Sequence, residues 1–338
     1  MTDKISIFIL CIILTLTWGI LSCSLCPLKS NTENGSDSLL FFIPPGSSIS
    51  EISDSLINRG ILIETDKKFF LKTLIADSVD RNLRWGHYYF YLPTNPDSLV
   101  SILKQGPIQS LVTIPEGLTI KQIASILQKQ ANCDSAEVVR LCYSSEFISS
   151  LLYEQFENLA QIKSLEGFIF PSSYNFGFGI DPQEALEIMV NKYFEIESEI
   201  APVRHPHGLS RYETLILASL IEKEARFDSE REIIASVYLN RLNRDMPLQC
   251  DATVLYALGT HKDKLLFKDL EINSPYNTYM YKGLPPGPIA NPGRISLLAA
   301  WQPAETDYLY YVAKPDGYHI FSTNYRSHIN ATNSVRNP

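Results

Sequence analysis

The chain has 338 residues, 45% of them hydrophobic, which is enough for two or three domains with ample core and excludes a disordered protein. Its net charge of −8 and pI near 5.3 exclude nucleic acid as a main partner, because neutralising phosphates needs clusters of Lys and Arg that this chain lacks.

Residues 5–26 carry no charge, with Lys4 before the run, Lys29 after it and Trp18 within it. As a helix this run reaches about 33 Å, the thickness of a bilayer core, and it exceeds the apolar stretch of about 7 to 15 residues typical of a cleaved signal. Residues 1–30 are therefore expected to form an uncleaved membrane anchor and its flank, with the bulk of the chain outside the cytoplasm. Ile20 to Cys23 also resembles a bacterial lipoprotein cleavage box, which would make Cys23 a lipidated terminus. Cys11, Cys23 and Cys26 lie in this run, leaving the odd set Cys133, Cys142 and Cys250, so no disulfide framework is expected. The CxxC spacing of Cys23 and Cys26 has no second pair or neighbouring histidines, and no metal site is expected there.

Residues 31–40 begin with a polar, glycine-containing tether, NTENGSDS. An internal repeat follows: FFIPPGSSISEISDSLINRGILI at 41–63 and VTIPEGLTIKQIASILQKQ at 112–130. It superimposes Ile43 on Ile114, Gly46 on Gly117, Ile52 on Ile123 and Leu56 on Leu127. Each copy predicts a strand, a turn at Pro-x-Gly and a helix with apolar residues at helical spacing. Between the copies, residues 86–92 predict a strand and 97–103 a helix. Residues 41–135 are thus a small βα-repeat domain, either a folding module without chemistry or a glycan binder using Tyr88, Tyr89 and Tyr91, though alternate strand positions equally suit a core.

Residues 140–210 read as mainly helical, interrupted at LEGFIFPSSYNF (165–176), where Pro171 ends any helix and the aromatics suggest a packed loop. Glu166 in that segment is a helix cap or a groove-lining carboxylate. In LILASLIEKEA (215–225), Leu217, Leu220, Ile221 and Glu224 fall on one helical stripe, so Glu224 faces what the leucines face. A carboxyl held against apolar surface has its charged form disfavoured and can carry a proton at neutral pH. The competing expectation is a rim position paired with Arg226, Arg231 or a backbone amide. Glu222 points elsewhere and is expected to be solvated.

A second helix is expected around residues 233–242. Residues 273–293, NSPYNTYMYKGLPPGPIANPG, predict an ordered loop shaped by its prolines and suited to a sugar-binding wall. The stretch 307–329 predicts two strands joined by a turn at 314–317, then a short helix. His205 and His207 sit in a loop and read as solvated, while His319 and His328 flank an aromatic strand. With no HExxH or GxSxG sequence, metal-dependent and serine hydrolase readings are poor, and no cofactor is expected.

IEKEA, ASVYLNRL, MPLQCDATVLY, SPYNTYMYKGLPPGPIANPG and YHIFSTNYRSHI, in this order, together with IPPG, IPEG and LEGFIFPSSY, resemble the endolytic murein transglycosylase (YceG-like) family over nearly the whole chain. The resemblance implies an α+β protein with an N-terminal transmembrane helix, a LysM-like βα-repeat domain and a mixed α/β catalytic domain over 136–338. It implies cleavage of nascent peptidoglycan strands between N-acetylmuramic acid and N-acetylglucosamine, leaving a 1,6-anhydro ring, with cell-wall synthases as partners. In such families the essential group is a Glu followed by a small residue at a helix end, which Glu224-Ala225 matches better than Glu222-Lys223. Glu166, Asn240, Gln249, Asp251, Tyr276, Asn277, Tyr279 and His319 are then candidate groove residues. Ser172 and Ser173 stand where the family commonly has Asp-Thr, and Cys250 and Ala252 where Ser and Pro are common, which puts groove details in doubt more than activity. Two other readings make different predictions. A noncatalytic anchored scaffold that binds glycan or synthases would be indifferent to replacement of Glu224, and a muramidase using water would leave reducing ends.

Overall fold

The computed structural model describes residues 37–336, apart from 93, 202–207, 260, 261, 263 and 264. The expected anchor, Cys11, Cys23, Cys26, His205 and His207 lie outside the described residues. Among the described residues no helix is long and apolar enough to cross a membrane. Over the described residues the fold is α+β, with three two-stranded antiparallel sheets among its helices.

The first unit pairs β1 (Asp37–Ile43) with β2 (Gly86–Leu92), setting Phe41 opposite Tyr88 and Ile43 opposite Gly86. Because successive strand side chains point to opposite faces, Phe41, Ile43, Tyr88 and Phe90 enter the core while Phe42, Tyr89 and Tyr91 are exposed. Between the strands run α1 (Ile49–Asn58) and α2 (Lys67–Ala76), the latter unforeseen from sequence, and after them comes α3 (Pro96–Gln105). A reciprocal cap between Ser48 and Glu51 starts α1, and Asn95 with Pro96 starts α3. Leu56, Phe70, Leu74, Phe90 and Leu99 close a core of their own.

The second repeat joins the larger core. Its strand β3 (Gln109–Thr113) pairs with β4 (Ser173–Gly177), Val112 lying opposite Tyr174. The segment expected as a packed loop is therefore partly a strand, its pairing satisfied by a partner some sixty residues earlier. The helix of this repeat is α4 (Ile120–Ala131), followed by α5 (Ser135–Cys142), α6 (Ser145–Leu152) and α7 (Pro182–Ile200). Cys133 and Cys142 are separate buried thiols.

The helix carrying both glutamates is α8 (Arg211–Glu224), begun by a reciprocal Ser210–Glu213 cap and flanked by α9 (Asp228–Asn243) and α11 (Arg294–Trp301). Between α9 and α11 lies the short α10 (Asp251–Leu258). Every residue from Leu215 to Ile221 is buried, so α8 is enclosed on all sides instead of presenting one apolar stripe. Each of Leu217, Leu220 and Ile221 contributes roughly 1.5–3 kcal/mol by leaving water. Residues 273–293 form the expected irregular loop. The chain closes with β5 (Tyr310–Ala313), β6 (His319–Ser322) and α12 (Tyr325–Arg336), the strands joined by a turn in which Gly317 donates to the Lys314 carbonyl at 2.9 Å.

Candidate active site

Glu224 is the last residue of α8, and Ala225 beyond it is extended, so the helix delivers this carboxyl to the place where the chain turns away. The β5–β6 hairpin docks there. Tyr318 stacks on Phe227 at 4.0 Å between ring centres, and the His319 N–H donates to Glu230 Oε1 at 2.8 Å. This brings Tyr311 over the helix end, where its hydroxyl donates to Glu224 Oε2 at 3.1 Å. On the other oxygen, the Cys250 thiol donates to Oε1 at 3.1 Å. The tyrosine is itself backed by Tyr238 of α9, the two hydroxyls being 3.0 Å apart. Burial raises the pKa of Glu224; the Cys250 and Tyr311 hydrogen bonds oppose this, Asp251 adds to it and His319 opposes it weakly. The rim pairing with Arg226 or Arg231 does not form: Arg231 is engaged by Glu222 and Asp228.

Glu222 departs from expectation. Its side chain is buried, not solvated, and Oε2 accepts from the Gly293 N–H at 3.0 Å and the Ser296 hydroxyl at 2.8 Å, with Arg231 Nη1 3.3 Å away. It anchors the start of α11 to α8. The two glutamates are thus divided: one is paired with a cation, the other meets only neutral donors.

Of the candidate groove residues, four gather near Glu224. Asp251 is exposed at the start of α10 and accepts a hydrogen bond from the Tyr279 hydroxyl. His319 lies edge-on to Tyr311 at 5.1 Å, with Nδ1 2.8 Å from Glu230 Oε2. Gln249, next to Cys250, has a left-handed backbone with φ of 52°, an unusual state for a non-glycine residue that costs on the order of 1–3 kcal/mol.

The other four are placed apart from the Glu224 carboxyl. Glu166 is buried, accepting from the Ile120 N–H at 3.0 Å and Asn291 Nδ2 at 2.8 Å on Oε1, and from the Tyr256 hydroxyl at 3.3 Å on Oε2. It caps α4 from across the chain, and burial pushes its pKa up to about 8 against those three donors. Tyr276 packs on Tyr256 at 4.9 Å, in the neighbourhood of Glu166. Asn277 is fully enclosed, its Nδ2 holding the carbonyls of Leu270 and Ile272 at 2.8 and 2.9 Å, which shapes the loop from within. Asn240 donates to the Thr306 and Tyr308 carbonyls at 2.7 and 3.0 Å and fixes the approach to β5.

Sequence reasoning missed Tyr311, Tyr238 and Asn291. Asn291 ties three segments: Oδ1 accepts from Gly167 and Ile169, both at 2.9 Å, and Nδ2 donates to the Leu118 carbonyl at 2.9 Å as well as to Glu166. The strand pattern located Tyr311 on β5, but only the docked hairpin turns it toward α8. Among the described residues no group of three or more His, Cys, Asp and Glu side chains could hold a metal ion.

Residues 41–334 match the YceG-like family. The chain belongs to that family. An endolytic murein transglycosylase of Bacillus subtilis is 37% identical over 303 residues, spanning 85% of this chain and 81% of the relative. One from Streptococcus pneumoniae is 29% identical over 331 residues, 90% of this chain and 59% of the relative. The crystal structure of a YceG-like protein from Listeria monocytogenes superimposes with a TM-score of 0.58 at 34% identity, covering 88% of this chain and 99% of that one. As a member of the YceG-like family, the chain combines a repeat-built first half with the Glu224 helix end.

Proposed function

We propose that this protein is a peptidoglycan lytic transglycosylase, with Glu224 as its single general acid and base. One observation carries the reading: a carboxyl at a helix end, whose burial raises its pKa, hydrogen-bonded by a thiol and a phenol and not by a cation. The names of the Bacillus and Streptococcus relatives support the substrate class.

The steps follow from the chemistry of one carboxyl group. Protonated Glu224 gives its proton to the glycosidic oxygen as the bond to the anomeric carbon of N-acetylmuramic acid breaks. The 6-hydroxyl oxygen of the same sugar then bonds to that carbon, and the Glu224 carboxylate takes the hydroxyl proton, restoring the acid. No water is consumed, and the product is a 1,6-anhydro end. No second carboxylate is required if the substrate's acetamido group stabilises the developing positive charge, an exception to the usual two-carboxylate arrangement. Asp251, Tyr279, Gln249 and His319 are read as the nearest groove residues. Residues 5–26 are read as a membrane anchor with the remaining chain on the extracytoplasmic side, and the first unit as a LysM-like glycan binder with its exposed Tyr89 and Tyr91.

The test is mass spectrometry of peptidoglycan digested by the full chain and by its Glu224→Gln variant. Anhydro-ended fragments from the first and none from the second are expected. Water-derived reducing ends would instead mark a hydrolase, and fragments from neither, with glycan still bound, a scaffold.

A further inference from the structure

We propose that Tyr311 and Cys250 are positioning residues that divide the Glu224 carboxyl between them: Tyr311 fixes Oε2 as the accepting oxygen, and Cys250 leaves Oε1 as the oxygen that carries and delivers the proton. This rests on the reading of Glu224 as the acid. A carboxylic acid holds its proton on one oxygen only, and the oxygen that accepts a strong hydrogen bond stays the carbonyl-like one. The Tyr311 hydroxyl is such a donor, 3.1 Å from Oε2, and Tyr238, 3.0 Å behind it, can donate to the Tyr311 oxygen and so direct its proton to Glu224. A thiol is a weak donor and a weak acceptor, so the group 3.1 Å from Oε1 neither locks a proton there nor strongly favours its loss.

The thiol is held where it stands. The Cys250 N–H donates to Thr278 Oγ1 at 3.0 Å, its carbonyl accepts from Thr253 Oγ1 at 2.7 Å, and the left-handed Gln249 turns the chain just before it. The ionisable neighbours of Glu224 are Tyr238 on α9, Cys250 and Asp251 at the start of α10, Tyr279 on the 273–293 loop, Tyr311 on β5 and His319 on β6. On its own helix, Glu222 is turned to Arg231.

A donor to the carboxylate stabilises the charged form, so strengthening it moves the titration to lower pH and deleting it moves the titration up. Activity needs protonated Glu224, so the basic limb of the pH profile follows that titration. In the full chain, Cys250→Ser places a hydroxyl on Oε1 and is expected to move the basic limb to lower pH. Cys250→Ala and Tyr311→Phe are expected to move it to higher pH, and Tyr311→Phe to lower kcat roughly tenfold with KM little changed. A carbon-13 titration of the Glu224 carboxyl in the same variants reads the clamp without any turnover. Shifts of those signs support the assignment, and an unmoved titration across all three variants overturns it. Retained activity in Glu224→Gln would instead overturn the acid, a result the carboxyl titration does not depend on.

Discussion

Asn291 Nδ2 donates to Glu166 Oε1 at 2.8 Å, and both side chains are buried. That bond closes a junction of three segments: the turn of the second repeat at Leu118, the loop from Glu166 to Ile169, and the proline-rich loop that ends at Gly293. Replacing Asn291 with Ala orphans the buried Gly167 and Ile169 N–H groups together. At about 1–3 kcal/mol for each unsatisfied buried group, a loss of about 2–6 kcal/mol is expected, read as a lower urea midpoint at unchanged slope.

Glu166 carries a pH signature. Its folded pKa of about 8 lies above the ordinary 4.5, so between those values the folded state holds a proton that the unfolded state has released. Stability from this group is therefore complete below about pH 4.5 and is lost as pH rises through 8. Melting temperatures of the Glu166→Gln variant are expected to vary less across this window than those of the parent chain. Parallel curves would contradict the assignment.

The two glutamates of α8 should respond oppositely to mutation. Glu222→Ala leaves the buried Arg231 guanidinium with Asp228 as its remaining carboxylate and strips the Gly293 N–H and the Ser296 hydroxyl of their acceptor, and is expected to cost about 3 kcal/mol. Glu224→Gln removes a carboxyl whose charged form burial disfavours, so its thermal midpoint should equal or exceed that of the parent while activity is lost. Chemical melts and digests of the two variants, run side by side, distinguish a structural carboxylate at Glu222 from the proposed acid at Glu224.

Gly167 tolerates no side chain. Its φ is 90°, and a Cβ there would lie 2.7 Å from Pro288 Cγ. Gly167→Ala is expected to destabilise the chain by about 2 kcal/mol or more, through strain and forced separation of the two loops. Leu220→Ala, which empties a fully enclosed site in α8, is expected to cost about 2–5 kcal/mol. Thermal denaturation of both measures these losses.

Patterns of local origin could be read directly. The alternation in residues 86–92, the proline-and-glycine punctuation of 273–293 and the turn before Tyr318 each follow from rules that act over a few residues. The strand β4 could not, because its reason for existing is β3, far back in the chain. The burial of Glu222 was hidden for a related reason: helical periodicity assumes water on one side, and α8 has almost none. Glu224 was recognisable as a carboxyl among leucines, but its company of thiol and phenol depends on how β5 and the 246–250 segment fold back. Asn240 and Asn277 carry the polar chemistry of a sugar site, yet their amides are spent on backbone carbonyls of the folded chain, Thr306 and Tyr308 for one, Leu270 and Ile272 for the other.

The repeated Pro-x-Gly turn ends in the same backbone state twice, with φ of 75° at Gly46 and 72° at Gly117. Around Gly46 a Cβ would meet nothing within 4 Å, whereas Gly117 rests against Glu222 and Lys223, and its carbonyl accepts from Lys223 Nζ at 3.0 Å. One copy of the turn is a free corner at the surface; the other is a bearing on which the last turn of α8 is seated. Engineering that lengthens or relabels the chain belongs at the first corner, since the same change at its twin would shift the seat of the helix end that carries Glu224.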